Sequence, residues 1–287
     1  FNRGDNEGVG YFEVNQKNGW RWNTAKAFLR PTCYARPNFE LWNNAQVAKL
    51  ELTQSENGLR CTGVQVWDGH QMVSATARAE VLLCAGSIGS PQILELSGLG
   101  QATHLQSLGI PVRQDLPGVG ANLQDHLQIR TVFKVRNAPT LNTMANNWLG
   151  KARIGLEYAF KRSGPMSMAP SQLGAFTRSD PAQPHANIEF HVQPLSLDAF
   201  GQPLHSFNAM TASVCNLNPT SRGTVHIRSP RFADAPAIAP NYLSTDADRK
   251  VAADSLRVAR HIMAQPAMAP YQPQEHKPGV QYQSDED

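Results

Sequence analysis

The residues best suited to hold a ligand lie in one stretch, VLLCAGSIGSPQILELSGLG, from Val81 to Gly100. An apolar run reads as a strand, and Ser90 and Pro91 read as the cap and first position of a helix. Gly98 and Gly100 then end that helix. Ala85, Gly86 and Ser87, in the turn between, carry little side chain, so a ligand could approach the backbone closely. In an open α/β sheet, ligands bind beyond the carboxyl ends of strands, where helix N-termini expose free N–H groups. Small residues also suit any tight strand-to-helix connection, so the stretch alone leaves both readings open.

Other reactive residues are sparse. Asp125-His126 comes nearest to an acid–base pair, but adjacent residues on a strand point to opposite faces, so no ready dyad results. His191, in EFHVQP, either faces a pocket or is a structural strand histidine. GVGANL and GLGQAT begin a G-x-G-x-x-G pattern and fail at the third glycine. No phosphate loop, G-x-S-x-G elbow, H-E-x-x-H or calcium loop occurs. Cys33, Cys61, Cys84 and Cys215 lie too far apart for a zinc knuckle or a dense disulfide framework, and no metal site is expected. Cys84, inside an apolar run, reads as a buried thiol, and a reducing, cytoplasmic setting is the default.

The elements that must position these residues fall into two parts. Before residue 20 the chain is Gly- and Asn-rich and reads as loop, and NTAKAFL (23–29) reads as a short helix capped by Asn23 or Thr24. Three alternating segments from residue 39 onward, separated by SENG and DGHQ, predict a β-meander ending in VLLCAG. That last run is continuously apolar, which suggests a sheet covered on both faces. A helix over 101–108 and a strand at LQIRTVFKV follow. Residues 142–164 have helical spacing, and GPMSMAPSQLGAF reads as an irregular loop. NIEFHVQPLS, NAMTASVCNL and GTVHIRS alternate like strands of an antiparallel sheet, and 246–265 is a helix. The fold class is therefore α/β (α+β): an α/β part up to about residue 127, then an antiparallel sheet flanked by helices.

Composition narrows the classes. The chain has 287 residues, 41% of them hydrophobic, and a net charge of +3. That is ample for a core, and it lacks the basic stripe that nucleic acid demands. The densest basic cluster, Lys151, Arg153, Lys161 and Arg162, is diluted by Leu and Ala. No run approaches the roughly 18 apolar residues of a transmembrane segment. The chain opens on Phe1 and closes on SDED, which reads as the first turn of a helix, so a fragment of a larger protein is expected.

GSIGSPQILELSGLG (86–100) resembles the second signature of the glucose–methanol–choline (GMC) flavin oxidoreductases along its whole length. DLPGVGANLQDHL, PTSRGTVHIRS, PAIAPNYLS and RHIMAQPAM resemble later blocks of that family, and GVGYFEVNQKNGWRWNTAKAFL an earlier one. The resemblance implies a partial FAD-binding domain over 31–127, a substrate-binding domain over 128–287, and a linking loop and helix over 1–30. It implies FAD as cofactor, with Val47, Ala85, Gly86 and Ser87 beside its adenosine half. It places the family's G-x-G-x-x-G unit before Phe1 and its catalytic His after Asp287, so no catalytic residue is expected in this chain. Choline-oxidising members carry a Glu two residues after the Asp-His pair. Here that position is Gln128, which disfavours a quaternary ammonium and favours a neutral alcohol. Ser171 and Gln172 resemble a region that reaches the flavin. The implied reaction is oxidation of an alcohol CH–OH group by hydride transfer to flavin, passed on to oxygen, a quinone or another acceptor. Membrane association through that acceptor is compatible with the resemblance. Choline dehydrogenase proper, or a truncated non-catalytic binding module, are the alternatives.

Overall fold

The computed structural model describes residues 4, 6–199 and 201–286. The elements used below are, in chain order, β1 Gly8–Tyr11, β2 Gln46–Ser55, β3 Gly58–Trp67, β4 Met72–Thr76, α1 Gly86–Leu96, β5 Gln128–Lys134, α2 Trp148–Lys161, β6 Leu173–Thr177, β7 Ile188–Gln193, β8 Ala209–Asn216, α3 Asp246–Met263 and β9 Gln274–Lys277. The chain forms two compact units. Residues 1–39, 126–220 and 245–287 form one, and 40–125 and 221–244 the other. The units interleave in sequence, so the chain passes between them four times rather than once near residue 127.

The first unit is built on a six-stranded antiparallel sheet in the order β1-β6-β7-β8-β5-β9. Its register places Ile188 opposite Asn216, Phe190 opposite Val214, and Val214 opposite Ile129. Because strand side chains alternate, Ile188 and Phe190 fall on one face with Ala212, Val214 and Phe133. There they form the buried core together with Ala259 and Met263 of α3. Full burial of Phe190 alone contributes roughly 2–3 kcal/mol. Thr245 caps α3 by accepting from the Asp248 N–H. Arg260 of α3 makes a bidentate pair with Glu275 of β9 at 2.8 and 2.9 Å.

The sequence reading misses two features of this unit. β1 and β6 form in stretches read as loop. Both are short, and β1 lies at the edge, where pairing with Leu173–Phe176 overrides weak local propensity; residues 1–3 and 5 lie outside the described residues. The SDED segment starts no helix over 284–286; instead Asp285 pairs with Arg257 of α3. The helix expected at 23–29 does form, as a wide, π-type helix over Ala25–Cys33, and of the two candidate caps it is Asn23 that serves, its Oδ1 accepting from the Lys26 N–H at 3.0 Å.

The second unit carries the expected meander, β2-β3-β4. α1 packs along β2, and Ser97 Oγ accepts from the Leu50 N–H at 2.8 Å while donating to Ile93 O. A short pair, Thr224–His226 with Ala237–Ala239, belongs here and not to the large sheet. The apolar run at 81–85 pairs with no strand among the described residues. An extended segment becomes a strand only when a neighbour takes its N–H and C=O groups. With no such neighbour, Leu82 and Cys84 are exposed, so Cys84 is not a buried thiol. Cys215 is the buried one.

Candidate functional site

In the second unit the candidate ligand turn lies at the start of α1. The helix begins at Gly86, one turn earlier than the Ser-Pro pair suggests, with Ala85 as a cap that makes no side-chain bond. Ser90 therefore lies inside the helix, where its Oγ accepts from the Ala85 N–H at 3.2 Å. Ala85, Gly86 and Ser87 are all exposed. Gly86 has φ +77°, and a Cβ there would meet nothing within 4 Å, so the space above the turn is open. The first N–H groups of a helix have no intrahelical partner, and here no side chain among the described residues caps them. Val47 is half-buried on β2, opposite Val66.

The rest of α1 is firmly held. Gln92 donates to Asp234 O at 3.0 Å. Glu95, fully buried, accepts from the Ile227 N–H at 2.8 Å and lies 2.6 Å from His226 Nδ1. The His104 ring lies 5.0 Å from that of His226, with its Nε2 at 3.1 Å from Ile227 O. A 2.6 Å N···O separation is close hydrogen-bond contact, at the short end for a carboxylate and an imidazole. Two ligands of one tetrahedral metal sit farther apart, at about 3.3 Å for bonds near 2 Å. Glu95 thus pins the helix whose free end is the ligand turn. The sequence pattern does not single out Glu95; its one signal is a lone carboxylate in an otherwise apolar ILEL run.

In the first unit, the face of the sheet opposite the core is polar. Cross-strand rows follow from the register: Gln128, Cys215 and Glu189 in one, and Arg130, Ser213 and His191 in the next. Gln128, at the head of β5, is exposed. His191 Nε2 lies 3.2 Å from Glu189 Oε1, and its ring stacks on Phe12 at 5.0 Å. Phe12 is admitted by Gly174, where a Cβ would come within 2.5 Å of the ring. His191 therefore joins a polar cluster with Glu189 and Cys215, whose ligand atoms all lie within 4.8 Å of one another. Burial first, then the Glu189 charge, pushes the Cys215 thiol up to about 12, so it is an inert thiol at neutral pH. Ser213 Oγ is buried without a hydrogen-bond partner.

The remaining expected residues lie elsewhere on this unit. Ser171 Oγ accepts from Gln193 Nε2 at 2.8 Å. Gln172 ties three segments, donating its N–H to Val192 O and accepting from the Phe12 N–H. It also lines a cavity of about 340 Å³ with Tyr11, Pro139, Val192, Met210 and Tyr271. Three strand steps and four residues of register separate Gln128 from Ser171 and Gln172, which is roughly 20 Å across the sheet. The structure thus brings Ser171 and Gln172 together and leaves Gln128 apart. Asp125 and His126 form no dyad: Tyr242 donates to Asp125, while His126 Nε2 lies 3.2 Å from Leu217 O. A Ser196–His205–Asp198 chain, at 2.9 and 3.3 Å, has the outline of a hydrolytic triad. Its serine is fully buried, so no substrate reaches it.

Comparison with known proteins gives the class. The family models for the N-terminal and C-terminal parts of GMC oxidoreductases match residues 1–128 and 219–287. The chain belongs to the GMC oxidoreductase family. It is 36% identical over 288 residues to the alcohol dehydrogenase [acceptor] of Pseudomonas putida, covering all of this chain and 51% of that protein. It is 38% identical over 281 residues to the mitochondrial choline dehydrogenase of Mus musculus, covering 98% and 46%. Among solved structures, it superposes on an FAD-dependent oxidoreductase from Chaetomium thermophilum with a TM-score of 0.84 at 24% identity, over 99% of this chain and 55% of that one. Pyridoxine 4-oxidase from Mesorbium loti gives 0.81 at 26% identity, over 99% and 50%. The chain thus spans about half the length of the curated relatives it matches.

Proposed function

We propose that this chain is the part of an FAD-dependent alcohol oxidoreductase that flanks the adenosine half of the cofactor and shapes the substrate site. The observation that carries the cofactor reading is the turn at Ala85–Ser87: exposed, built of small residues, and followed by helix N–H groups that no side chain among the described residues caps. These features suit the polar edge of a nucleotide. Val47 and the three turn residues would hold the adenosine half, with Glu95 and Ser97 keeping α1 in place behind them. Bound FAD supplies the hydride acceptor for oxidation of a CH–OH group. What this chain contributes is binding and orientation; the proton-accepting base is expected outside it.

For the substrate, Gln128 supports a neutral alcohol. It is exposed and neutral at the position where choline-oxidising relatives are expected to hold a carboxylate. Gln172, which lines the 340 Å³ cavity, and Ser171, bonded to the lining residue Gln193, are the proposed residues on the flavin side. One observation favours the choline reading instead: Glu189 supplies a carboxylate in the same cross-strand row as Gln128, two strands or about 10 Å away. Its pairing with His191 weighs against that role.

The test uses the full-length protein loaded with FAD and an artificial electron acceptor. Primary and aryl alcohols should be oxidised with kcat/KM at least tenfold above that for choline. Gln128→Glu should narrow the gap by lowering KM for choline. Higher kcat/KM for choline in the unaltered protein would overturn the substrate reading. Failure to retain FAD would overturn the cofactor reading.

A further inference from the structure

We infer that α2 is an interfacial helix that lies on an anionic lipid surface. Trp148–Lys161 is a well-formed helix: Asn147 caps it by accepting from the Gly150 N–H at 2.8 Å, and Arg162 closes it at φ +54°. Yet it buries no residue. Trp148 is 74% exposed, Leu149 61%, Leu156 57% and Phe160 83%. At 100° per residue, Trp148, Ala159, Ala152, Leu156, Leu149 and Phe160 follow one another across a single arc of about 120°. All six are exposed. Met144 just before the helix and Met166 just after it extend the same apolar character.

The charges say what this face meets. Arg153 borders the arc on one side and Lys151 lies past Gly155 on the other; Lys161 falls on the far side of the helix. Neither Arg153 nor Lys151 makes an ion pair among the described residues. The helix has one acid, Glu157, which is half-buried and accepts from Ser163 Oγ at 3.0 Å on the inner side. That inner side is anchored within the same unit: Tyr158 meets Trp20 edge-on at 6.1 Å, and the Arg162 guanidinium stacks over the Trp20 ring at 4.3 Å. An apolar arc with Trp and Phe, rimmed by Lys and Arg and free of exposed acids, matches the acyl–headgroup boundary of an anionic bilayer. Fourteen residues reach about 21 Å, too short to cross, so the helix lies in the plane of the surface. A protein partner, or another part of this protein, would need matching carboxylates around an apolar groove; a phosphate-bearing membrane supplies both without one.

The experiment is co-sedimentation of full-length protein with phosphatidylcholine vesicles holding 0 or 30% phosphatidylserine at low salt. It is read together with acrylamide quenching of Trp148, taken as the difference from Trp148→Phe. The expected result is binding to the anionic vesicles, with Trp148 accessible to acrylamide before lipid is added and shielded after. Arg153→Gln and Lys151→Gln should each weaken partition about fivefold. Leu156→Glu/Phe160→Glu should abolish partition and leave the circular dichroism spectrum unchanged, since both sites are exposed. The inference is overturned if the anionic vesicles bind no protein, or if the double variant partitions as before. It is equally overturned if Trp148 is already shielded without lipid, which would mean that another part of the protein or a second copy covers the helix.

Discussion

Replacing His226 by alanine should be among the most damaging single changes in the second unit, although that side chain is partly exposed. Glu95 is fully buried, and its two oxygens have two partners, the Ile227 N–H at 2.8 Å and His226 Nδ1 at 2.6 Å. Removing the imidazole leaves a carboxylate in the interior with one neutral donor, and stranding a buried charge costs about 3–5 kcal/mol. Glu95→Gln keeps the acceptor for Ile227 and removes the charge, so it loses one charge-assisted bond, about 1.5–3 kcal/mol. Once the charge is gone, losing His226 should cost little more. The double variant is therefore expected near the Glu95→Gln value rather than at the sum, a coupling of about 3 kcal/mol or more. At 2–4 °C per kcal/mol, His226→Ala should lower Tm by roughly 6–20 °C. Urea midpoints and thermal scans of the full-length protein and its three variants read this directly. A loss under about 1 kcal/mol for His226→Ala, or additive effects, would refute the claim that His226 compensates the Glu95 charge.

Further predictions concern other parts of the chain. The Arg260 side-chain bonds, more than any other contact, hold the Glu275 carboxyl below its ordinary range. The unfolded state then binds the proton more readily. The pair's contribution is complete above the ordinary carboxyl value of 4.5 and fades as pH falls below it; urea midpoints of Glu275→Gln and the unaltered protein should converge toward pH 3. Native alkylation at pH 8 should label exposed Cys84 and spare Cys215, whose thiol is pushed up to about 12; equal labelling, read by peptide mass spectrometry, would contradict the buried assignment. Gly98→Ala should destabilise by about 2–4 kcal/mol, because φ is +84° and the new Cβ would lie 2.4 Å from Pro111 O; an unchanged Tm would refute it.

The family was legible in the sequence because its signature is local. Gly86 to Gly100 encodes a turn, a helix and its glycine stop within fifteen consecutive residues, and local codes survive without tertiary context. The strands Ile188–Gln193 and Ala209–Asn216 and the helix Asp246–Met263 were legible for the same reason, since periods of 2 and 3.6 are written in neighbouring residues. The sequence could not decide what depends on partners far along the chain. Gly8–Tyr11 becomes a strand because Leu173–Phe176 pairs with it, and Val81–Ala85 finds no strand partner among the described residues despite its strand-like composition. Glu95 reads as a stray charge in an apolar helix until Ile227 and His226, more than 130 residues away, take both its oxygens. Gln128 and Gln172 carry similar weight on paper, yet cross-strand register sets them roughly 20 Å apart. Local pattern fixes element type; burial, register and charge compensation arise only when distant segments share one dielectric and one set of hydrogen bonds, and those were the work of the tertiary structure.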